Sequence, residues 1–344
     1  MAFLKFNNSR IIGIAAGVPR HIEPTISTTD AYDASEYMET TGIVEKRFSN
    51  DFTTSDLALA ASERLIKDLG WDRNEIDGLI FVSQTPDYIL PATSCVLHGK
   101  LDLNKNCLCL DISLGCSGWV YGLSTALALL ETGGLRKVLL LAGDARKHAH
   151  EEPDQLFGYA GTATAVEFNP EKARPIVMDL GSDGTGYDAI IRPGGGTRNP
   201  FTPDSLNLEE CEDGRKRHAL QTRMKGMDVF AFGITTAPKS IKKLSREFDL
   251  DYLSFDYFVF HQANRMMNET IRKKLKLPED RVPYSMTHFG NTSSASIPLT
   301  IVTQLSDKLR GHKKIIGCAF GVGLSWGTVA FECDDLFTSP LVEL

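Results

Sequence analysis

The feature that most limits how this chain can fold is that its two halves run through the same order of elements. In the first half the apolar run IDGLIFVSQ ends at Gln84. Cys116 follows 32 residues later, where a strand-like run gives way to a helix-like one, and KVLLLAGD (137–144) comes next. In the second half FDYFVFHQ ends at Gln262, Asn291 follows 29 residues later at another predicted helix start, and KKIIGCAFG (313–321) comes next. The endings also match, FGYAGTATAVEF (157–168) against FGVGLSWGTVAFE (320–332). Similarity repeated in the same order implies a duplicated structural unit, here residues 1–172 and 173–344. The runs named, with IIGIAAG (11–17) and CLCLDIS (107–113), are short, apolar and rich in β-branched residues. Amphipathic helical stretches lie between most of them, so the pattern predicts an α/β fold with helices packed on mainly parallel sheets. Cys107 and Cys109 alternate within NCLCLDI and read as buried strand residues. One segment breaks the pattern: Gly181 to about Met227 is rich in Gly, Pro, Asn and charge. A loop that long in a compact chain is expected to be a lid or binding loop, and residues 192–218 are its enlarged part.

Several classes of function are excluded by composition. The net charge of −7 comes without a long block of either sign, so nucleic acid is not an expected partner. The basic cluster at Arg215, Lys216 and Arg217 is short and reads as a solvated loop. No apolar run of about 18 residues is present to span a bilayer, and MAFLKFNNSR lacks the apolar core of a secretion signal. The expected location is the cytoplasm, with no membrane partner. Seven cysteines, an odd number with no CxxC pair, argue against a disulfide framework and against a zinc site, and no metal is expected.

Chemistry-bearing residues collect at the repeated positions. Cys116 sits between small residues in SLGCSGW, and the apolar positions 119, 120, 123, 126, 127 and 130 that follow recur at helical spacing. A sulfur at a helix N-terminus gains thiolate character from the partial positive charge there, and the thiolate is the nucleophile. Taken alone, a lone cysteine among small residues is more often structural. His261 follows YFVF at the carboxyl end of a predicted strand, where ligands gather in α/β sheets. A satisfied core histidine is the other reading, but HQAN sets three polar side chains directly after a buried strand, which costs stability unless they line a site. Asn291, in HFGNTSSASIPL, occupies the place in the second half that Cys116 holds in the first, and a helix N-cap is its plainer role. In a pseudo-symmetric fold the two helix starts would converge. The turn Gly321, Val322 and Gly323 in FGVGLSWG has the small residues that let backbone N–H groups face an oxyanion.

These four motifs in this order, Cys in a small-residue turn, HQAN, GNTSSAS and GxGxxWG, resemble the thiolase superfamily and most closely its β-ketoacyl-acyl carrier protein synthase III group. The resemblance runs from about Ile11 to Glu332. It implies a thiolase-like five-layered αβαβα fold built from two duplicated halves, and a homodimer. It also implies decarboxylative condensation of an acyl thioester with malonyl-acyl carrier protein, the carrier protein being the expected partner. Cys116 would accept the acyl group, His261 and Asn291 would bind the malonyl thioester carbonyl, and the Cys116 N–H with one from 321–323 would hold the oxyanion. No cofactor is implied beyond the thioester substrates. Asn264, Arg265 and Leu90 are the implied substrate-binding residues, Leu90 before Pro91 closing the acyl pocket of the partner subunit.

Departures from the family pattern concern the donor. Glu36 and Thr40 stand where the family commonly has a Trp and an Arg that grip coenzyme A, Gln155 replaces another Arg, Arg265 falls one place early, and LFGYAGT carries Tyr159 in place of an Asp. Arg146, Lys147 or Arg265 would have to compensate. A specialised synthase, acting in fatty-acid or secondary metabolism, is therefore expected. Three alternatives stay open: transfer of the acyl group from Cys116 to a hydroxyl or amine, condensation of the hydroxymethylglutaryl-CoA synthase kind, for which no motif places the glutamate base, and a silent dimerisation partner.

Overall fold

The computed structural model describes residues 2–25, 33–145, 155–212 and 214–344. Its frame consists of strands β1 (Ala2–Phe6), β2 (Ser9–Val18), β3 (Gly78–Val82), β4 (Leu108–Ile112), β5 (Lys137–Asp144), β6 (Ala160–Phe168), β7 (Ile176–Ser182), β8 (Tyr257–Phe260), β9 (His312–Gly321) and β10 (Ser325–Asp334). The helices of the frame are α1 (Thr54–Leu69), α2 (Thr93–Lys100), α3 (Gly118–Glu131), α4 (Gly226–Glu247), α5 (Arg265–Leu275) and α6 (Ser296–Gln304). Local chemistry sets the ends: α1 starts on a Thr53–Asp56 capping box and stops at Gly70 in the left-handed region.

One sheet runs β4-β3-β5-β6-β2 and the other β8-β9-β10-β7-β1. Pairing β2 with β7, β3 with β8, β5 with β9 and β6 with β10 shows the same strand order in both, as the repeat predicts. They differ at the edges, since β4 has no counterpart strand in the second sheet. The ends of the chain are also exchanged. β1 pairs with β7 in the second sheet, while Phe337–Thr338 and Val342–Glu343 pair with β2 in the first.

The sheets are mixed rather than mainly parallel. β3 with β4, β3 with β5, and β8 with β9 are parallel, whereas β2/β6, β5/β6, β9/β10, β7/β10 and β1/β7 are antiparallel. A continuous apolar run reports that both faces of a strand are covered, not which way its neighbour points. The three-residue turn between β9 and β10 can only join antiparallel strands.

Side chains alternate across both sheets and so define the layers. Ile80 and Val82 of β3, Leu140 of β5 and Val259 of β8 point into a central core with Trp119, Leu123 and Leu127 of α3 and Ile297 and Ile301 of α6. Leu79, Phe81, Leu139 and Leu141 point the other way, onto α1 and α2. Phe258 and Phe260 face α4 and α5. The order is therefore helix, sheet, helix, sheet, helix. α3 is apolar around most of its circumference because all but a stripe along Tyr121, Thr125 and Ala128 is buried.

Edge strand β4 corrects one expectation. Leu108 and Leu110 are exposed and Cys107 and Cys109 only partly buried, because nothing among the described residues covers that edge. The excursion after β7 carries two short antiparallel pairs, Ile190–Ile191 with Arg223–Met224 and Glu209–Glu210 with Lys216–Arg217. Among the described residues no helix is long and apolar enough to cross a membrane.

Candidate active site

The two central helices begin side by side, and the residues leading into them build the site. Cys116 lies between β4 and α3, whose first turn has no side-chain cap at Ser117; the N–H groups of Gly118 and Val120 go to the carbonyls of Gly115 (2.6 Å) and Ser117 (3.1 Å). The turn after β9 closes on the sulfur. A Cβ on Gly321 would stand 2.6 Å from Cys116 Cβ and 2.7 Å from Sγ, so only glycine fits there. The backbone N–H groups of Val322 and of Cys116 itself face the sulfur closely enough to favour its thiolate form. Ser325 Oγ donates to the Val322 carbonyl (2.7 Å) and lies 2.7 Å from Ser117 Oγ, tying this turn to the start of α3.

His261 follows β8 directly, its N–H donating to the Cys318 carbonyl at 2.8 Å in continuation of the sheet. The ring is buried, stands edge-on to Phe320, and places Nδ1 2.8 Å from Ser296 Oγ. Burial pushes the imidazole down to about 4, the Ser293 carbonyl acting in the opposite direction, so the ring is neutral at pH 7. Asn291 is buried and fixed through its backbone: its N–H donates to Leu156 O (2.9 Å), and the Gly158 N–H donates to its carbonyl (3.1 Å). Its Oδ1 accepts the Ser293 N–H at 2.9 Å, which leaves Nδ2 as its donor toward the site. α6 itself starts only at Ser296, after a tight turn over Ser293–Ala295.

Ser293 is where the three residues singled out from the sequence meet. Its N–H donates to Asn291 Oδ1 at 2.9 Å, its hydroxyl lies beside Gly115, next to Cys116, and its hydroxyl and carbonyl act on the titration of Cys116 and His261. The residue has φ of +50°, an uncommon conformation for a side-chain-bearing residue and a cue to function. Sequence reasoning passed over it because GNTSSAS contains three serines that composition cannot rank. Asp144 was missed as well. It ends β5, and its Oδ1 accepts from Ser83 Oγ (3.0 Å) and the Gln84 N–H (2.8 Å).

The thiol differs from expectation. Burial pushes Cys116 up to about 11, and the negative charge of Asp144 works in the same direction, outweighing the N–H groups that favour the thiolate. A helix N-terminus contributes at most about 2 kcal/mol, roughly one and a half pK units, which does not reverse this. The resting group is therefore a protonated thiol.

Of the polar side chains in HQAN, two serve the structure. Gln262 Oε1 accepts the N–H groups of Ser285 (3.0 Å) and Met286 (3.3 Å), and Asn264 caps α5 by accepting from the Met267 N–H at 2.8 Å. Arg265 is exposed, with its stem against Gly42 and its guanidinium over the Tyr284 ring. It thus lies beside the end of the helix Ala34–Thr41 that carries Glu36 and Thr40. Tyr159 is a buried core residue packed on Phe48. Leu90 is 80% exposed beside Ile89 and Tyr88 and does not line the site of its own protomer. Arg146 and Lys147 lie outside the described residues.

Comparison with known proteins agrees with this arrangement. The family models of 3-oxoacyl-[acyl-carrier-protein] synthase III match over residues 110–184 and, for its C-terminal part, 247–333. The chain is 31% identical to the beta-ketoacyl-[acyl-carrier-protein] synthase III of Clostridium acetobutylicum, covering 95% of this chain and 99% of that one. It is likewise 31% identical to that of Geobacillus kaustophilus, over 94% and 98%. The crystal structure of a 3-oxoacyl-(acyl-carrier protein) synthase from Burkholderia xenovorans superposes with a TM-score of 0.92 at 35% identity, over 100% of this chain and 99% of that one.

Proposed function

The chain belongs to the 3-oxoacyl-[acyl-carrier-protein] synthase III family, and from that premise we propose that it is a specialised condensing enzyme. It takes an acyl group from a thioester onto Cys116 and joins it, with loss of CO2, to malonyl-acyl carrier protein. The observation that carries this reading is that Cys116, His261 and Asn291 converge: Gly321 lies against the sulfur, His261 stands edge-on to the adjacent Phe320, and Ser293, bonded to Asn291, has its hydroxyl beside Gly115.

In this reading Sγ of Cys116 adds to the acyl carbonyl, and the oxyanion is held by the N–H groups of Cys116 and Val322. The thiol of the carrier leaves. The malonyl thioester then enters, and its carbonyl accepts from Asn291 Nδ2 and from the His261 ring. Ser296 Oγ is positioned to donate to Nδ1 and so to keep the ring N–H at Nε2. Both donors are neutral, which suits an enolate formed by loss of CO2. That carbon attacks the acyl-Cys116 carbonyl, the C–S bond breaks, and the released Cys116 thiolate takes a proton from water to become the thiol again.

Donor choice follows from the departures at the entrance. Glu36 and Thr40 offer no cation to a phosphate-rich donor, and Arg265 is placed close by. A donor borne on carrier protein fits this better than coenzyme A. A groove of about 370 Å³ lined by Lys239, Lys242, Arg246 and Lys274 on α4 and α5 gives an acidic carrier a basic face to dock on. The uncovered edge of β4 and the exposed Tyr88–Leu90 segment support a homodimer, with Leu90 closing the partner's acyl pocket.

The test is a donor screen. Wild type and Cys116→Ala are incubated with acyl-CoA and acyl-carrier protein, and the Cys116 peptide is weighed. Malonyl-carrier protein is then added, and CO2 and a β-ketoacyl product are sought. Acyl-Cys116 that is discharged only by an alcohol or amine would refute condensation, and no adduct with any donor would refute the enzyme.

A further inference from the structure

The turn that brings the second half up to the sulfur is weakly fixed by its own backbone. Val322 stands between two glycines, the residues with the widest conformational freedom, and Gly323 has φ of +139°, a region closed to most side chains. Leu324 is tied down: its N–H donates to the Asp183 carbonyl (3.1 Å), and its carbonyl accepts the Asp183 N–H (2.8 Å). Val322 is held by a side chain instead. Its carbonyl accepts from Ser325 Oγ at 2.7 Å, and Ser325 Oγ lies 2.7 Å from Ser117 Oγ. A hydroxyl has one proton to give. Ser325 gives its own to Val322, so Ser117 is the donor in the bond between the two hydroxyls. Both serines are buried, Ser117 at 1% and Ser325 at 2% exposure. Ser117 occupies the N-cap of α3, where a serine ordinarily accepts from an N–H of the first turn, and it makes no such bond. Its hydroxyl reaches across the seam between the halves.

We propose that Ser325 is a positioning residue of this site: anchored by Ser117, it holds Val322 so that the Val322 N–H meets the oxyanion formed when Cys116 is acylated. The inference rests on the reading of Cys116 as the acyl acceptor. Gly321, next in the chain to Val322, packs so closely on Cys116 that no Cβ fits between them. With Val322 pinned at Gly321 on one side and at its carbonyl on the other, the N–H between keeps one direction. The anchor comes from the residue directly after the nucleophile. The helix start that presents the sulfur therefore also sets, through two hydroxyls, the donor contributed by the other half. A donor aimed before charge develops costs no reorganisation during the reaction, and a buried hydroxyl chain supplies that aim.

Two rates on Cys116 separate aiming from plain stability. Acylation by an acyl-carrier protein passes through an oxyanion, whereas alkylation by iodoacetamide displaces iodide at a saturated carbon and forms none. Both are read by mass on the Cys116 peptide at one pH. Ser325→Ala is expected to slow acylation about 10-fold, short of the roughly 100- to 1,000-fold that follows outright loss of an oxyanion donor, with alkylation within about threefold of wild type. Ser117→Ala leaves Ser325 on Val322 and should slow acylation by less, and it should add nothing when combined with Ser325→Ala. Unfolding of Ser325→Ala would show as alkylation far faster than in wild type, and the split between the two rates is then read in Ser117→Ala. Wild-type acylation in Ser325→Ala overturns the positioning role, and so does an equal fall in both rates or an undiminished effect of Ser117→Ala in the double variant. If the wild-type protein takes no acyl group on Cys116, the nucleophile reading fails and the positioning role with it.

Discussion

The turns that lead into α3 and α6 occupy equivalent places in the two halves, yet they are built from opposite materials. The first, around Cys116, has no side-chain cap and is closed by backbone bonds alone, which leaves a sulfur at the helix start. The second, around Asn291, is closed by its own side chain and turns through a serine in the left-handed region. Duplication supplies a symmetric frame, and the difference in turn chemistry supplies the division of labour. In the proposed mechanism the first half offers the nucleophile and one N–H of the oxyanion pocket, and the second offers the other N–H, from Val322, together with neutral donors for a second carbonyl.

That division can be broken in order of expected effect. His261→Ala or Asn291→Ala should cut CO2 release from malonyl-carrier protein by about 100- to 1,000-fold, the usual cost of losing one such donor. Acylation of Cys116 should change far less. Equal loss of both steps in single-turnover assays would show that the halves do not divide the work. Gly321→Ala pushes a methyl group into Cys116 and tests the acylation step alone. Overpacking of this kind costs roughly 1–3 kcal/mol, so acylation should fall about 10- to 100-fold while malonyl-carrier binding persists.

The buried neutral imidazole gives a third test, on stability. The folded state holds His261 at about 4, below its ordinary 6.5, so its contribution is complete above pH 6.5 and is lost as pH falls toward 4. Between those values it adds a slope of up to about 1.4 kcal/mol per pH unit. Urea unfolding of His261→Gln should show a correspondingly flatter slope in that window. The smallest effect lies at the outer layer: Lys242→Glu should raise KM for carrier-borne substrate a few-fold, the scale of one surface charge, and leave coenzyme A substrates alone.

The duplication was legible in the sequence because buried strands must be apolar, and IDGLIFVSQ and FDYFVFHQ meet that demand at matching places. Strand direction was not, since the apolar pattern of β6 or β10 is the same beside a parallel or an antiparallel neighbour. Cys107 and Cys109 misled for a related reason: alternation in NCLCLDI marks a strand but does not say that it is the edge. At the site, Cys116, His261 and Asn291 stood out by chemistry and position. Ser293 and Asp144 did not, because each meets its neighbours across the seam between halves. The protonation of Cys116 was likewise hidden, because a helix start is local whereas the burial that opposes it is assembled by β9 and Ser293 from the other half.

The exchanged ends of the chain bear on that seam. β1 belongs by sequence to the first half and by pairing to the second sheet, and the last strands make the reverse journey to β2. The two sheets are therefore laced, each hemmed by a thread drawn from the other. A break in the backbone near residues 169–175 would yield two pieces, neither of which holds a whole sheet. Sliding one sheet past the other means first unpicking a strand. The spacing between a sulfur on one side and an amide on the other is thus guarded at the periphery of the molecule, far from where it is used.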